Sequence, residues 1–373
     1  MLALGGCLSN VFDEAQFLCD PGGAGEQCPP TMGCGVDGLC RSQPCESGFS
    51  DCDGEAGNGC ETETGLSSEH CGRCGHSCEG GRCTVGVCQP VAIADAQASP
   101  QLIVVRAGKV HWTNKDVATI HSVSEDGEIA SHPTGVEGRI AGLAVDDQYL
   151  YFTAYEAGRV GRIPVDGGAP FNIASGQSKP RGIALDEKYV YWTNIGDPDA
   201  ATPVPGSVAR ATFAGADRKT LADGQNGAYG VAVDAERVYW TIDKPDGSVQ
   251  SVELTGTAPE TLATRQYFPH DIVIAFDRIY WDANAQLLSA SPGGTPQTFV
   301  TEEEQIRGLA VDEEHVYWTT MSSVQRAPRS PATGVIEVLA ADQPLPQGVA
   351  VDDKFVYWTN VDGGTVMRLV KSP

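Results

Sequence analysis

The chain has 373 residues, 41% of them hydrophobic, and a formal net charge of −24 from 25 basic and 49 acidic side chains. This length holds more than one domain, and the negative field repels phosphate backbones and anionic lipid headgroups, which excludes nucleic acid as an expected partner. No stretch approaches the roughly 18 consecutive apolar residues of a membrane-spanning helix.

All 13 cysteines lie between Cys7 and Cys88, and this shift in composition places a domain boundary near Gln89 and Pro90. Cys7 makes the number odd, and it closes the tetrad Leu4-Gly5-Gly6-Cys7. The tetrad resembles the bacterial lipobox, which implies cleavage before Cys7, a lipid on its thiol, and an exported protein held in the cell envelope or released outside it. Only six residues precede Cys7, too few for the basic and apolar regions of a signal, so either the precursor begins upstream or the tetrad is a coincidence. Residues 1–7 are read as the remnant of that signal, with Cys7 as the only membrane attachment.

Residues 8–90 carry Cys19, Cys28, Cys34, Cys40, Cys45, Cys52, Cys60, Cys71, Cys74, Cys78, Cys83 and Cys88 in a Gly-, Pro- and Ser-rich acidic background. So few large apolar side chains cannot build a core. Disulfides must supply the stability, at about 2–4 kcal/mol each, and they persist in an oxidising compartment. Their pairing is left open by the sequence. Two metal readings compete. Cys71 and Cys74, with Cys78, Cys83, His70 and His76, have zinc-like spacing but no second paired knuckle, so disulfides are expected. Asp51, Asp53, Asn58 and Glu61 offer hard oxygens to calcium, yet Ala56 stands where an EF-hand loop needs glycine, so solvated turn carboxylates are expected. No metal or cofactor is therefore assigned, with calcium the one ion kept open. The stretch from Asp51 to Glu61, continued by His70-Cys71-Gly72-Arg73-Cys74-Gly75, resembles a short cysteine-rich motif of surface proteins from some gliding soil bacteria, and no activity travels with it.

Residues 91–373 repeat. An apolar triplet, an Asp-rich turn and an aromatic strand recur as Ile183-Ala184-Leu185-Asp186 with Tyr191-Trp192-Thr193-Asn194, and again at Val231–Thr241, Leu309–Thr319 and Val349–Asn360. Weaker copies surround Phe152, Trp281 and Trp112. The aromatic falls at 112, 152, 192, 240, 281, 318 and 358, and these spacings near 40 match one four-stranded blade. The expected fold is all-β, a seven-bladed β-propeller. Its last unit stops after a third strand, while Val91–Gln97 mirrors Phe171–Gln177, so the N-terminal segment should close the ring as the missing outer strand. These units resemble the YWTD propellers of lipoprotein-receptor ectodomains and, more loosely, NHL-type propellers. The resemblance implies the fold, a protein-binding habit, and Trp192, Trp240, Trp318 and Trp358 as packing between blades. It departs in blade number, which is one fewer in YWTD propellers, and in Asn194 and Asn360 replacing the motif's final Asp.

Function in a propeller belongs to loops and strand ends around one mouth of the channel. The residue eleven positions before each aromatic should sit there: Gln101, Ala141, Arg181, Tyr229, His270, Arg307 and Gln347, with Asp271 following His270. The inserted loop Ile195–Gly206 should project beside Arg181. No Gly-x-Ser-x-Gly elbow, phosphate loop or His-Glu-x-x-His motif occurs. The expectation is a monomeric, non-catalytic surface protein that binds a protein or glycan through this rim. The alternative is a metal-dependent lactonase-like hydrolase, similar to gluconolactonase-type propellers, which would need several ligands converging in the channel.

Overall fold

The computed structural model describes residues 45–53, 60–115, 117–124, 126–256, 258–329 and 335–371, together with the backbone of Met32–Cys34 and Cys40–Ser42. The chain divides into two compact units, Met1–Gln89 and Pro90–Pro373. Among the described residues of the first unit, four disulfides join Cys45 to Cys60, Cys52 to Cys74, Cys71 to Cys83 and Cys78 to Cys88. They staple two-residue ladders such as Cys83–Thr84 against Val87–Cys88. The zinc spacing thus dissolves into crosslinks. The carboxylates of Asp51, Asp53 and Glu61 converge within 4.8 Å of one another but are exposed, and Glu61 accepts the backbone N–H of Cys52 and the hydroxyl of Thr62. Cys7, Cys19, Cys28, Ala56 and Asn58 lie outside the described residues, as do the side chains of Cys34 and Cys40.

The second unit is a seven-bladed β-propeller, and the described residues contain no helix. Blade three is typical: an innermost strand Pro180–Leu185, then Tyr189–Asn194, Ser207–Thr212 and the outer Lys219–Asp223, each antiparallel to the next. Second strands such as Tyr189–Asn194 are buried on both faces, because each lies between two neighbouring sheets. That explains their aromatic, β-branched run of Tyr-Val-Tyr-Trp-Thr. The six Trp side chains of these strands are fully buried. Ring closure follows the sequence expectation, since Val91–Ala94 pairs with Thr365–Val370 as the outer strand of blade seven.

Three hydrogen-bond patterns recur, the first and last between blades and the second within a blade. The indole N–H of Trp112, Trp192, Trp240, Trp281 and Trp358 donates to a glutamine that ends the preceding blade's outer strand (Gln97, Gln177, Gln225, Gln266 and Gln343), at 2.8–3.2 Å. In blade six Glu302 takes that place. The turn aspartates 146, 186, 234, 312 and 352 accept two backbone N–H groups on one oxygen and the tyrosine hydroxyl five residues on with the other. Last, the threonine after the aromatic donates to the innermost-strand carbonyl of the next blade: Thr153 to Arg181, Thr193 to Tyr229, Thr241 to His270, Thr319 to Gln347 and Thr359 to Gln101. Each of these bonds satisfies a buried polar group that would otherwise cost about 1–3 kcal/mol.

Candidate functional site

The threonine bonds tie the carbonyls of the rim residues, so they also fix where the rim side chains point. Gln101, Ala141, Arg181, Tyr229, His270, Asp271, Arg307 and Gln347 all line one cavity of about 220 Å³ at the channel mouth. Close approach of successive blades there depends on glycine. A Cβ on Gly182 would lie 2.4 Å from the Tyr229 carbonyl oxygen, and one on Gly230 would lie 2.3 Å from that of His270.

Blade five breaks this pattern in three places. Asp271 stands where Gly182, Gly230 and Gly348 stand elsewhere, and Asp282 stands where the other blades have threonine. The hairpin turn is Phe276-Asp277, both at positive φ (53° and 58°), so the turn aspartate is missing and the Tyr280 hydroxyl has no partner. The register survives: Asp282 Oδ1 accepts the N–H of Asp271 at 2.6 Å, as the Thr193 and Thr241 hydroxyls accept from Gly182 and Gly230. Oδ2 of Asp282, fully buried, has no hydrogen-bond partner and faces the His270 imidazole, 3.7 Å from Nδ1. On the other side of the ring, Asp243 Oδ1 stands 3.4 Å from Nε2. The imidazole is thus set between two carboxylates, with the Tyr229 ring 4.9 Å away, centroid to centroid.

Burial opposes charge on His270, but the Asp243 contact and the charges of Asp282, Asp243 and Asp271 outweigh it and hold the imidazole above its ordinary value. Burial raises Asp271, with His270 and Arg181 pulling the other way. Burial and the neighbouring charge of Asp271 raise Asp282 far above a usual carboxylate. Such opposed titrating groups in one cleft are the equipment of proton transfer. Arg181 lies over the Tyr229 ring at 4.0 Å and donates to its hydroxyl, and Arg307 donates to the Gln347 side chain at 2.9 Å.

The eleven-residue spacing therefore gathers its residues at one mouth. It misses Asp243 and Asp282. Asp282 was legible as the one aspartate following a Trp of the aromatic strands; Asp243 belongs to the preceding blade and meets His270 only through the ring's curvature. The inserted loop begins next to the strand carrying Arg181, where Asp197 pairs with Lys179 at 3.0 Å. Hard donors are present for a divalent cation, since Asp243 Oδ1 and Asp282 Oδ2 are buried oxygens without hydrogen-bond partners. However, among the described residues the clusters of three or more donor atoms mutually within 4.8 Å lie in the N-terminal unit, at Cys71, Cys78 and Cys88 and at Asp51, Asp53 and Glu61.

The sequence matches no protein-family model and no curated protein. Among solved structures, the fold is similar to virginiamycin B lyase from Staphylococcus aureus (TM-score 0.64, 15% identity, 76% of this chain and 99% of that one). A catalytically inactive histidine-to-alanine variant of that lyase, with quinupristin, is similar at TM-score 0.62 and 15% identity, covering 76% of this chain and 99% of the other. A chain of a nidogen/laminin complex is similar at TM-score 0.51 and 19% identity, covering 65% and 98%. These likenesses show the fold. They also correct the expectation of a non-catalytic binding protein that is not an enzyme, since the similar folds include virginiamycin B lyase, an enzyme whose histidine-to-alanine variant is catalytically inactive.

Proposed function

We propose that the propeller is an enzyme that cleaves its substrate by acid–base catalysis at the channel mouth, in the manner of a lyase, with His270 as the base. The observation that carries this is the His270 imidazole held between Asp243 and Asp282, in the blade where aspartate replaces the threonine of every other blade. In the reaction the unprotonated ring nitrogen of neutral His270 takes a proton from a substrate carbon. The bond to a leaving group on the adjacent carbon breaks, its electron pair leaves with that group, and a double bond remains. Asp243 and Asp282 orient the ring and stabilise the imidazolium, as carboxylates do for catalytic histidines.

A second reading, hydrolysis of an ester or lactone, is supported by the hard donor set. There Asp243 or Asp282, which stand on opposite sides of the imidazole, would hold a divalent cation, which would polarise the carbonyl oxygen. The two readings separate in ¹⁸O-labelled water: elimination leaves an alkene without label, and hydrolysis leaves labelled product. With a panel of esters and lactones, His270→Gln should lower turnover about 10²–10⁴-fold. Unaltered turnover in that variant would overturn the assignment. Because the His270 pKa is raised, its base form accumulates only at higher pH, so the rate should climb through a pH above about 6.5. Asp243→Asn should move that rise to lower pH.

We further propose that the protein is exported and anchored through a lipid on Cys7. The disulfides of the N-terminal unit support an oxidising destination. Cys7→Ala in the precursor should release the protein from the membrane fraction.

A further inference from the structure

Two guanidinium groups face the mouth cavity, and their hydrogen-bonding capacity is mostly unused. Arg181 spends a donor on the Tyr229 hydroxyl and Arg307 spends one on Gln347, of the five N–H donors each guanidinium carries. The Nε of both is buried and has no partner. Among the described residues no carboxylate pairs with either, although the chain holds 49 acidic side chains against 25 basic ones. Arg162 and Arg210, whose Nε also lacks a hydrogen-bond partner, lie over aromatic rings; among the described residues Arg307 has neither ring nor counter-ion. An unsatisfied buried donor of this kind calls for an explanation, and an acceptor arriving from outside is one.

The positions around the ring define where that acceptor sits. Arg181 belongs to blade three and Arg307 to blade six, so they face the cavity from well-separated blades, while blade two contributes only the methyl of Ala141 and leaves room. A planar two-oxygen anion matches the fork of a guanidinium. Asp271 lines the mouth, with Asp243 and Asp282 set against His270, and this acidic surrounding repels a doubly charged group more than a singly charged one. We propose that the substrate carries a carboxylate, clamped by Arg181 and Arg307, which sets its cleavable bond against His270. This rests on the mouth being the active site, and it names the substrate class: small carboxylate-bearing molecules that fit a cavity of about 220 Å³.

The test is equilibrium binding to the full chain, read by ligand-observed NMR, with propionate as probe, propionamide as its neutral isostere and inorganic phosphate as the dianion, at one ionic strength. Propionate should bind in saturable fashion and more tightly than both others. Arg307→Gln should weaken it about tenfold or more, and Arg307→Lys should recover part of the loss. Arg181→Gln should act likewise; because it also unstacks Tyr229, Arg307→Gln is the deciding variant. Propionate binding no tighter than propionamide or phosphate, or unchanged in Arg307→Gln, would overturn the clamp. His270→Gln should lower turnover about 10²–10⁴-fold and keep propionate binding. Propionate binding without turnover of any substrate would sink the catalytic reading alone, and turnover of neutral substrates without propionate binding would sink the clamp alone.

Discussion

Threonine at the end of the aromatic strand does two things at once: it accepts an N–H within its own blade and donates to a carbonyl of the next. Asp282 keeps the first bond and cannot make the second as a carboxylate, so a buried oxygen is left facing His270. The unsatisfied oxygen costs stability, as a site kept for chemistry would. Restoring the repeat with Asp282→Thr should therefore raise stability by about 1–3 kcal/mol, seen as a melting temperature higher by several degrees, while turnover falls at least tenfold. A variant that melts lower, or that keeps full activity, would show that Asp282 serves packing and not the site. The same reasoning explains what could be read from residues alone. His270, Asp271, Arg181 and Arg307 sit at a fixed offset from the aromatic, so periodicity finds them. Asp282 and Asp243 escape periodicity because their importance lies in departing from it, or in contact across a blade boundary.

At the scale of elements, the blade pattern was legible because each unit must bury the same two-faced strand, and burial of both faces leaves a strong aromatic signature. The closing strand was legible from the likeness of Val91–Gln97 to Phe171–Gln177. What sequence did not reveal is that closure uses more than the ladder: Gln97 also receives the Trp112 indole and the Asn114 amide. Val91 and Ile93 are only half-buried, so the glutamine carries part of the joint. Deleting residues 1–89 should leave the propeller's melting temperature unchanged. Deleting 1–98 removes ladder and glutamine together, and should lower it by at least 10 °C or produce aggregate through the exposed edge of Thr365–Val370. Equal melting of the two variants, followed by circular dichroism, would mean the ring closes without this strand.

For the whole molecule, the two units are stabilised by different means. The N-terminal unit depends on crosslinks, and no cysteine follows Cys88. Reductant should therefore abolish the folded signal of the first unit and leave the propeller transition in place, as two separable steps in a calorimetric scan. Loss of both together would refute independent folding. Thiol titration of unreduced, denatured protein should find Cys45, Cys52, Cys60, Cys71, Cys74, Cys78, Cys83 and Cys88 unreactive.

The joint in blade seven has a mechanical side. Val91 is opposite Arg368 and Ala94 is opposite Val366, so the chain enters this strand pair and leaves it at the same end. A pull between the N-terminal unit and the segment beyond Val370 therefore peels the pair one hydrogen bond after another instead of shearing all its bonds together. If the first unit is tethered, the outer strand of blade seven is the fuse of the molecule, and tension reaches it before it reaches the channel mouth.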